Sequence, residues 1–286
     1  VLDITTSRVK VSAGELHTHQ AGDPANPAIL WLHGSGPGVS ALSNWEKLIS
    51  TMPAYWHIAP DLLGFADSSH PDDLAVGVGA SGKQRAESIF ELLTALGVDR
   101  THVVGNSMGG MITLLMLQAK PELFDRVILM GSGGAPIPPT PDLIRMVRYY
   151  EDESPESMQD LISRFVFDQS TFGESIAEIA SDRAAFAGRE DIRRSHLRTF
   201  TPEPEPLWFP GDLLATIQHE ILVVHGREDR IIPVEASYHL AGHLPNAQLH
   251  VLPHAGHWVQ IEQVDRFRAL ATLFLNEESA TKGINS

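Results

Sequence analysis

The chain has 286 residues, enough for one large α/β domain or for a core that carries an insertion. Hydrophobic residues make up 43% and charged residues 20%, a globular balance that excludes a disordered tail protein and a collagen-like repeat. With 36 Asp and Glu against 21 Lys and Arg the net charge is −15, and no basic run offsets it, which excludes a phosphate backbone as partner.

The absence of cysteine removes a disulfide framework, a thiol nucleophile and thiolate metal ligands, and fits a reducing, cytoplasmic setting. Val1 to Lys10 alternates polar and apolar residues and does not read as a secretory signal. No stretch of about 18 apolar residues occurs, so no membrane span is expected.

In chain order, Arg8 to Ser12 and Glu15 to His19 alternate and predict an antiparallel hairpin at one sheet edge. Six strand-length runs follow: Ala28 to Leu32, Trp56 to Ala59, Thr101 to Val104, Arg126 to Met130, Ile221 to Val224 and Gln248 to Leu252. Between the second and third of them, Ala86, Ile89, Phe90, Leu93 and Leu96 form one helical stripe, and Gly97 is placed to stop it. Val264, Phe267, Leu270, Ala271, Phe274 and Leu275 give a C-terminal helix one buried face. Strands alternating with helices predict an α/β fold with a mostly parallel sheet covered on both sides.

Two proline-rich stretches interrupt this pattern, Pro136, Pro138, Pro139 and Pro141 in one and Pro202, Pro204, Pro206 and Pro210 in the other; both read as hinges or linkers. The segment between them has helical patterns and few strand signals. The expected division is therefore core 1–132, inserted helical cap 133–206 and core 207–286.

The strand ending at Val104 runs into Gly105-Asn106-Ser107-Met108-Gly109 and then into an apolar, helix-compatible run, the context that a G-x-S-x-G nucleophile turn requires. A Cβ at either flanking glycine would meet the strand or helix beside it, so the turn can be tight enough to push Ser107 out above the sheet. A serine hydroxyl needs a base to accept its proton and a carboxylate to orient that base. The candidates follow the last two strands: Glu228 and Asp229 after one, His254 and His257 after the other. Spacing does not choose; we favour Asp229, and His257 because Gly256 would give its loop freedom. The remaining histidines, such as His57, His102 and His239, read as packing or surface residues. The loop His33-Gly34-Ser35-Gly36-Pro37-Gly38 offers unobstructed amides for an oxyanion hole, at Ser35 or Gly36, with Met108 as the second donor. As a phosphate loop it lacks the Lys-Ser/Thr of a nucleotide site and the spacing of a dinucleotide fingerprint.

Taken together, His33-Gly-Ser-Gly-Pro-Gly38, Ser43-Asn44-Trp45, Gly105-Asn-Ser-Met-Gly-Gly110, Val224-His-Gly-Arg-Glu-Asp-Arg230 and Gly256-His-Trp258 resemble the meta-cleavage product hydrolases. These are carbon–carbon bond hydrolases of the α/β-hydrolase superfamily, and the resemblance spans essentially the whole chain. It implies an α/β-hydrolase fold with an eight-stranded sheet and an inserted helical cap. It also implies cleavage of the C5–C6 bond of 2-hydroxy-6-oxohexa-2,4-dienoates after tautomerisation, with no cofactor and no metal. The small-molecule dienoate would be the partner, and a homo-oligomer the assembly. Asn44 and Asn106 match positions that hydrogen-bond the substrate, Trp258 one that packs on the diene, and Arg183 the dienoate-binding arginine, with Arg189 and Arg164 as alternatives.

An acidic protein must offer a local cation to hold such an anion, whereas an ester needs none. That separates the reading from its alternative, a carboxylesterase with the same Ser-His-Asp set. A ligand-binding protein on the same scaffold would not need to keep all three. Dehalogenase and epoxide hydrolase readings fail because Ser107 stands where they need Asp. One departure is Ala66, where a glycine would be usual. The 39–44 and 164–168 stretches lean toward a hydroxymuconic semialdehyde or alkyl-substituted substrate. Whether Ser107 is acylated or activates a water is open at this level.

Overall fold

The computed structural model describes residues 1–203 and 207–277. Eight strands, β1 (Thr5–Val11), β2 (Gly14–Ala21), β3 (Ala28–Leu32), β4 (Trp56–Pro60), β5 (Thr101–Asn106), β6 (Phe124–Met130), β7 (Ile221–Gly226) and β8 (Ala247–Leu252), form one sheet. Their order is β1-β2-β4-β3-β5-β6-β7-β8. Strand β2 is antiparallel to both neighbours, and β3 to β8 are parallel.

The expected strands lie within or against these elements, most of which run one or two residues longer. A strand end is set by the ladder on the neighbouring strand, which a single run cannot show. Gly105 and Gly226 remain in the sheet because they pair with Leu32 and Leu129, and with Leu252.

The central strands are buried on both faces, so their sequences are continuous apolar runs. Within them the two-residue side-chain period separates two cores. Leu30, Leu32, Val103, Val127, Leu129 and Val223 face one, beneath the helices Val78–Ala95 and Met108–Ala119. Ile29, Trp31, Val104, Ile128, Met130 and Val224 face the other, beneath Ala41–Ile49 and Val264–Asn276. Gly97 follows the first of these helices at φ +69°, the left-handed position a helix stop requires.

Between β6 and β7 no strand occurs among the described residues; the helices Pro141–Val147, Pro155–Phe165, Ile176–Ala187 and Glu190–Thr199 do. They enclose a third hydrophobic cluster that also takes in Ile231 and Trp258. Pro141, expected in a linker, is instead the first residue of a helix, capped by the Thr140 side chain, because the first turn needs no proline N–H. Pro204 and Pro206, and with them the expected boundary at 206, lie outside the described residues. Ala66 is buried at φ +46°, the conformation a glycine would take without strain. No helix among the described residues is long and apolar enough to cross a membrane.

Candidate active site

Ser107 links β5 directly to the helix Met108–Ala119, at φ +54° and ψ −114°. A non-glycine residue in that region is strained, and the surroundings hold it there. Its N–H donates to Met130 O on the adjacent strand, 3.0 Å away. A Cβ on Gly105 would lie 2.6 Å from Gly109 O, and one on Gly109 would strike Leu32 O, so both glycines of the turn are set by close approach. The Ser107 hydroxyl makes no hydrogen bond among the described residues and borders a cavity of about 620 Å³.

Between the candidate acids the geometry separates cleanly. Asp229 Oδ2 accepts from His257 Nδ1 at 2.7 Å, and Oδ1 accepts from the N–H groups of Ile231 and Ile232 at 2.8 and 3.0 Å. Glu228 instead accepts from Arg227 Nε and from Ala255 N. Burial alone would raise the Asp229 carboxyl. The field of His257 and hydrogen bonds from His225 and His257 outweigh it and hold the group ionised, well below the usual carboxylate range. His225, which sequence reasoning passed over, lies beneath the pair: Nε2–H donates to Ile232 O at 2.8 Å and stands 3.3 Å from Asp229 Oδ2. Ser237 Oγ closes its other nitrogen at 2.6 Å.

His257 uses Nδ1–H on the carboxylate, which fixes Nε2 as the basic nitrogen. His254 is exposed at φ +58°, its ring against Phe167. Gly256 does not act as a source of freedom. A Cβ there would come 2.7 Å from Phe165 O and 2.9 Å from Phe167 N, so glycine is needed for the loop to lie against the backbone of residues 165–167. That loop is tied down by His257 N to Phe165 O at 2.8 Å and by Glu262, which accepts from Gly256 N and Phe167 N at 2.7 and 2.8 Å. Glu262 carried no sequence signal. On the other side Gly131, at φ +50°, presses its backbone against the pair: a Cβ there would sit 3.2 Å from His257 Nδ1.

The loop after β3 closes over the nucleophile. Gly34 N–H donates to Asn44 Oδ1 at 3.1 Å, and a Cβ on Gly34 would lie 2.6 Å from Asn106 Oδ1 and 3.3 Å from Ser107 Cβ. His33, fully buried, donates from Nδ1 to Gly34 O and accepts Leu62 N–H at Nε2. Ser35 and Met108 border the cavity with Ser107, whereas Gly36 faces Arg183. Met108 begins its helix, so its N–H has no partner within that helix. Asn106 donates to Met130 O at 3.1 Å. Both asparagines thus hold backbone in place, and Trp258 stacks on Phe165 with ring centroids 4.7 Å apart.

Arg183 donates from Nε to Pro37 O at 2.9 Å and lies over the Trp258 ring at 5.4 Å. It forms no ion pair among the described residues. Arg164 is committed to Asp160 and Asp142, and Arg189 to Asp67 and Asp191. Burial pulls the Arg183 pKa down to about 10, which leaves it cationic at neutral pH. Among the described residues one cluster has metal-ligand chemistry, His17, His19 and Asp61. Its carboxylate accepts Ala41 N–H at 2.7 Å and contacts His17 Nδ1 at 2.8 Å.

The buried histidines predict acid sensitivity. Desolvation lowers both His33 and His196 to about 4. Between pH 6.5 and 4 the unfolded chain therefore binds more protons than the folded one. Their contribution is complete above pH 6.5 and is lost as the pH falls through that window. The expected loss is on the order of a few kcal/mol. Urea midpoints measured from pH 7.5 to 4.5 should fall steadily; a flat profile would contradict it.

Comparison with known proteins follows the same lines. The sequence profile described as "Alpha/beta hydrolase family" matches residues 29–270. The chain is 36% identical over 271 residues to a 2-hydroxymuconate semialdehyde hydrolase from Pseudomonas sp. strain CF600, covering 93% of this chain and 91% of that one. The structure of 2-hydroxy-6-oxo-6-phenylhexa-2,4-dienoate hydrolase from Rhodococcus sp. strain RHA1 superposes with a TM-score of 0.92 at 35% identity, covering 97% and 100%. A serine hydrolase from the polyaromatic hydrocarbon-degrading bacterium Cycloclasticus zankles gives 0.93 at 38%, covering 96% and 98%. With its fold and motifs, these matches establish that the chain belongs to the α/β-hydrolase family and, within it, to the meta-cleavage product hydrolases.

Proposed function

We propose that this chain hydrolyses the C5–C6 bond of 2-hydroxy-6-oxohexa-2,4-dienoates to 2-hydroxypenta-2,4-dienoate and a carboxylic acid. The observation that carries this reading is Arg183, a guanidinium without a carboxylate partner among the described residues, against the loop that covers the nucleophile. An esterase would have no use for a desolvated cation there; a dienoate carboxylate and its enolate oxygen do.

In this reading 133–206 is the cap, and 1–132 with 207–286 the core. Arg183 holds the carboxylate end, with Asn44, Asn106 and Trp258 around it. Tautomerisation places a proton on C5, relayed by His257, and converts the dienol to a ketone. Ser107 Oγ, free of any hydrogen bond among the described residues, then gives its proton to His257 Nε2 and attacks C6. Amides of Ser35 and Met108 hold the oxyanion. When C5–C6 breaks, the electron pair passes through the C3–C4 double bond to the oxygen on C2, next to Arg183. Water releases the acyl group from Ser107 as the carboxylic acid. A cytoplasmic location and a homo-oligomer belong to the same reading; light scattering in solution tests the assembly.

Mixing the protein with ring-cleavage products and following the loss of their yellow dienolate absorbance tests the reaction. Rapid ester hydrolysis without bleaching would overturn it in favour of the carboxylesterase. Arg183→Gln is expected to raise KM about 100-fold with a smaller change in kcat, because ground-state binding is what the charge supplies. An unchanged KM would assign the carboxylate to another group.

A further inference from the structure

The cavity beside Ser107 is not bordered by Arg183, Trp258 or Asn44, so the dienoate end of the substrate does not need its volume. What remains on the cavity side of the C6 carbonyl is the C6 substituent. The walls are apolar: Ile137, Leu143, Val147, Leu207, Ile231 and Ile232. An apolar cavity of about 150 Å³ already binds benzene, and this one, at 620 Å³, is roughly four times larger.

Two charged side chains reach its border. Glu203 accepts from Gly79 N and Ala80 N, and exposed Arg148 lies 3.8 Å from Glu151. A second carboxylate on the substrate would meet the first and have to draw the other from its partner. Neither feature opposes a neutral ring, which would gain from covering the apolar walls.

We infer that, within the reaction proposed above and resting on it, this chain favours dienoates whose C6 substituent is neutral, apolar and of aryl size or larger, a fused two-ring group included. An alkyl substituent, toward which the sequence leans, fits the same cavity and leaves most of it unfilled. Specificity therefore rises from hydrogen through methyl to aryl and falls when the substituent ends in a carboxylate.

The test is kcat/KM, read from dienolate bleaching, for substrates bearing hydrogen, methyl, phenyl, naphthyl or 2-carboxyethyl at C6. Phenyl is expected to exceed hydrogen and carboxyethyl by about tenfold or more, with naphthyl within about tenfold of phenyl. Bleaching of the hydrogen and methyl compounds with little or none for phenyl and naphthyl would overturn this inference and leave the reaction standing. Bleaching of none would overturn the reaction itself. Val147→Phe and, independently, Ala135→Phe fill the cavity from two walls. Each is expected to lower the phenyl-to-methyl ratio of kcat/KM by about tenfold at an unaltered melting temperature. An unchanged ratio in both variants would take the substituent out of this cavity.

Discussion

Replacing Ser107 by alanine is expected to lower kcat by about 10⁴-fold or more while the dienoate still binds. The oxygen removed is the one placed to attack C6, and nothing else at the turn changes: the backbone at φ +54° is held by Gly105, Gly109 and the bond to Met130 O. Alanine is found at a positive φ elsewhere in the chain, at Ala66. Stopped-flow spectra of the variant with substrate should show the dienolate band shift on binding and then persist. Turnover at the parent rate would remove Ser107 from the chemistry. Loss of binding as well would mean that the turn had collapsed.

The second large effect is expected at Asp229→Asn, a loss of about 10³- to 10⁴-fold in kcat. One oxygen of the new amide can still accept from Ile231 N and Ile232 N. That orientation turns the NH2 toward His257 Nδ1 and toward His225 Nε2–H. To avoid a donor facing a donor, His257 must shift its proton to Nε2, and the nitrogen meant to take the Ser107 proton becomes a donor instead. The change should appear in kcat far more than in KM. A variant with parent kcat would show that the carboxylate plays no part in setting the tautomer.

Much of this site is legible in the sequence because parts of it are local. A strand, a tight glycine-flanked turn and a helix are written in one continuous stretch, residues 101–119, so Ser107 could be named from backbone demands alone. The acid and the base could only be narrowed to neighbours. What separates Asp229 from Glu228 is contact with the His257 ring, 28 residues further on, and what separates His257 from His254 is the bond to Phe165 O. Gly256 had the right importance for the wrong reason, since close approach of two loops leaves no mark in the sequence. The arginines show the same limit. Arg164, Arg183 and Arg189 look alike along the chain, and only the positions of Asp142, Asp160, Asp67 and Asp191 reveal which one has no carboxylate partner among the described residues. The cavity's breadth was hidden for the same reason, being bordered by segments near 137, 147, 207 and 232.

One core residue bears on how the Glu190–Thr199 helix is held. Arg85, fully buried and without a carboxylate partner among the described residues, donates to Leu63 O, Ser81 Oγ and Thr199 Oγ1, joining the Val78–Ala95 helix to the Glu190–Thr199 helix. Burial brings its pKa down to about 9, so it carries its charge at neutral pH, held by those hydrogen bonds and by the Phe65 ring 4.9 Å away. Nearby, Gly77 N to Arg198 O, Arg198 Nε to Leu74 O and Gly79 N to Glu203 bind the same segment, residues 198–203. Swinging that segment outward would break the Arg85 bond to Thr199 Oγ1 together with those three contacts, while the bonds to Leu63 O and Ser81 Oγ would remain. The Glu190–Thr199 end is thereby fastened to the core, whereas Ile144 and Arg148, on the rim of the apolar chamber, are exposed to water.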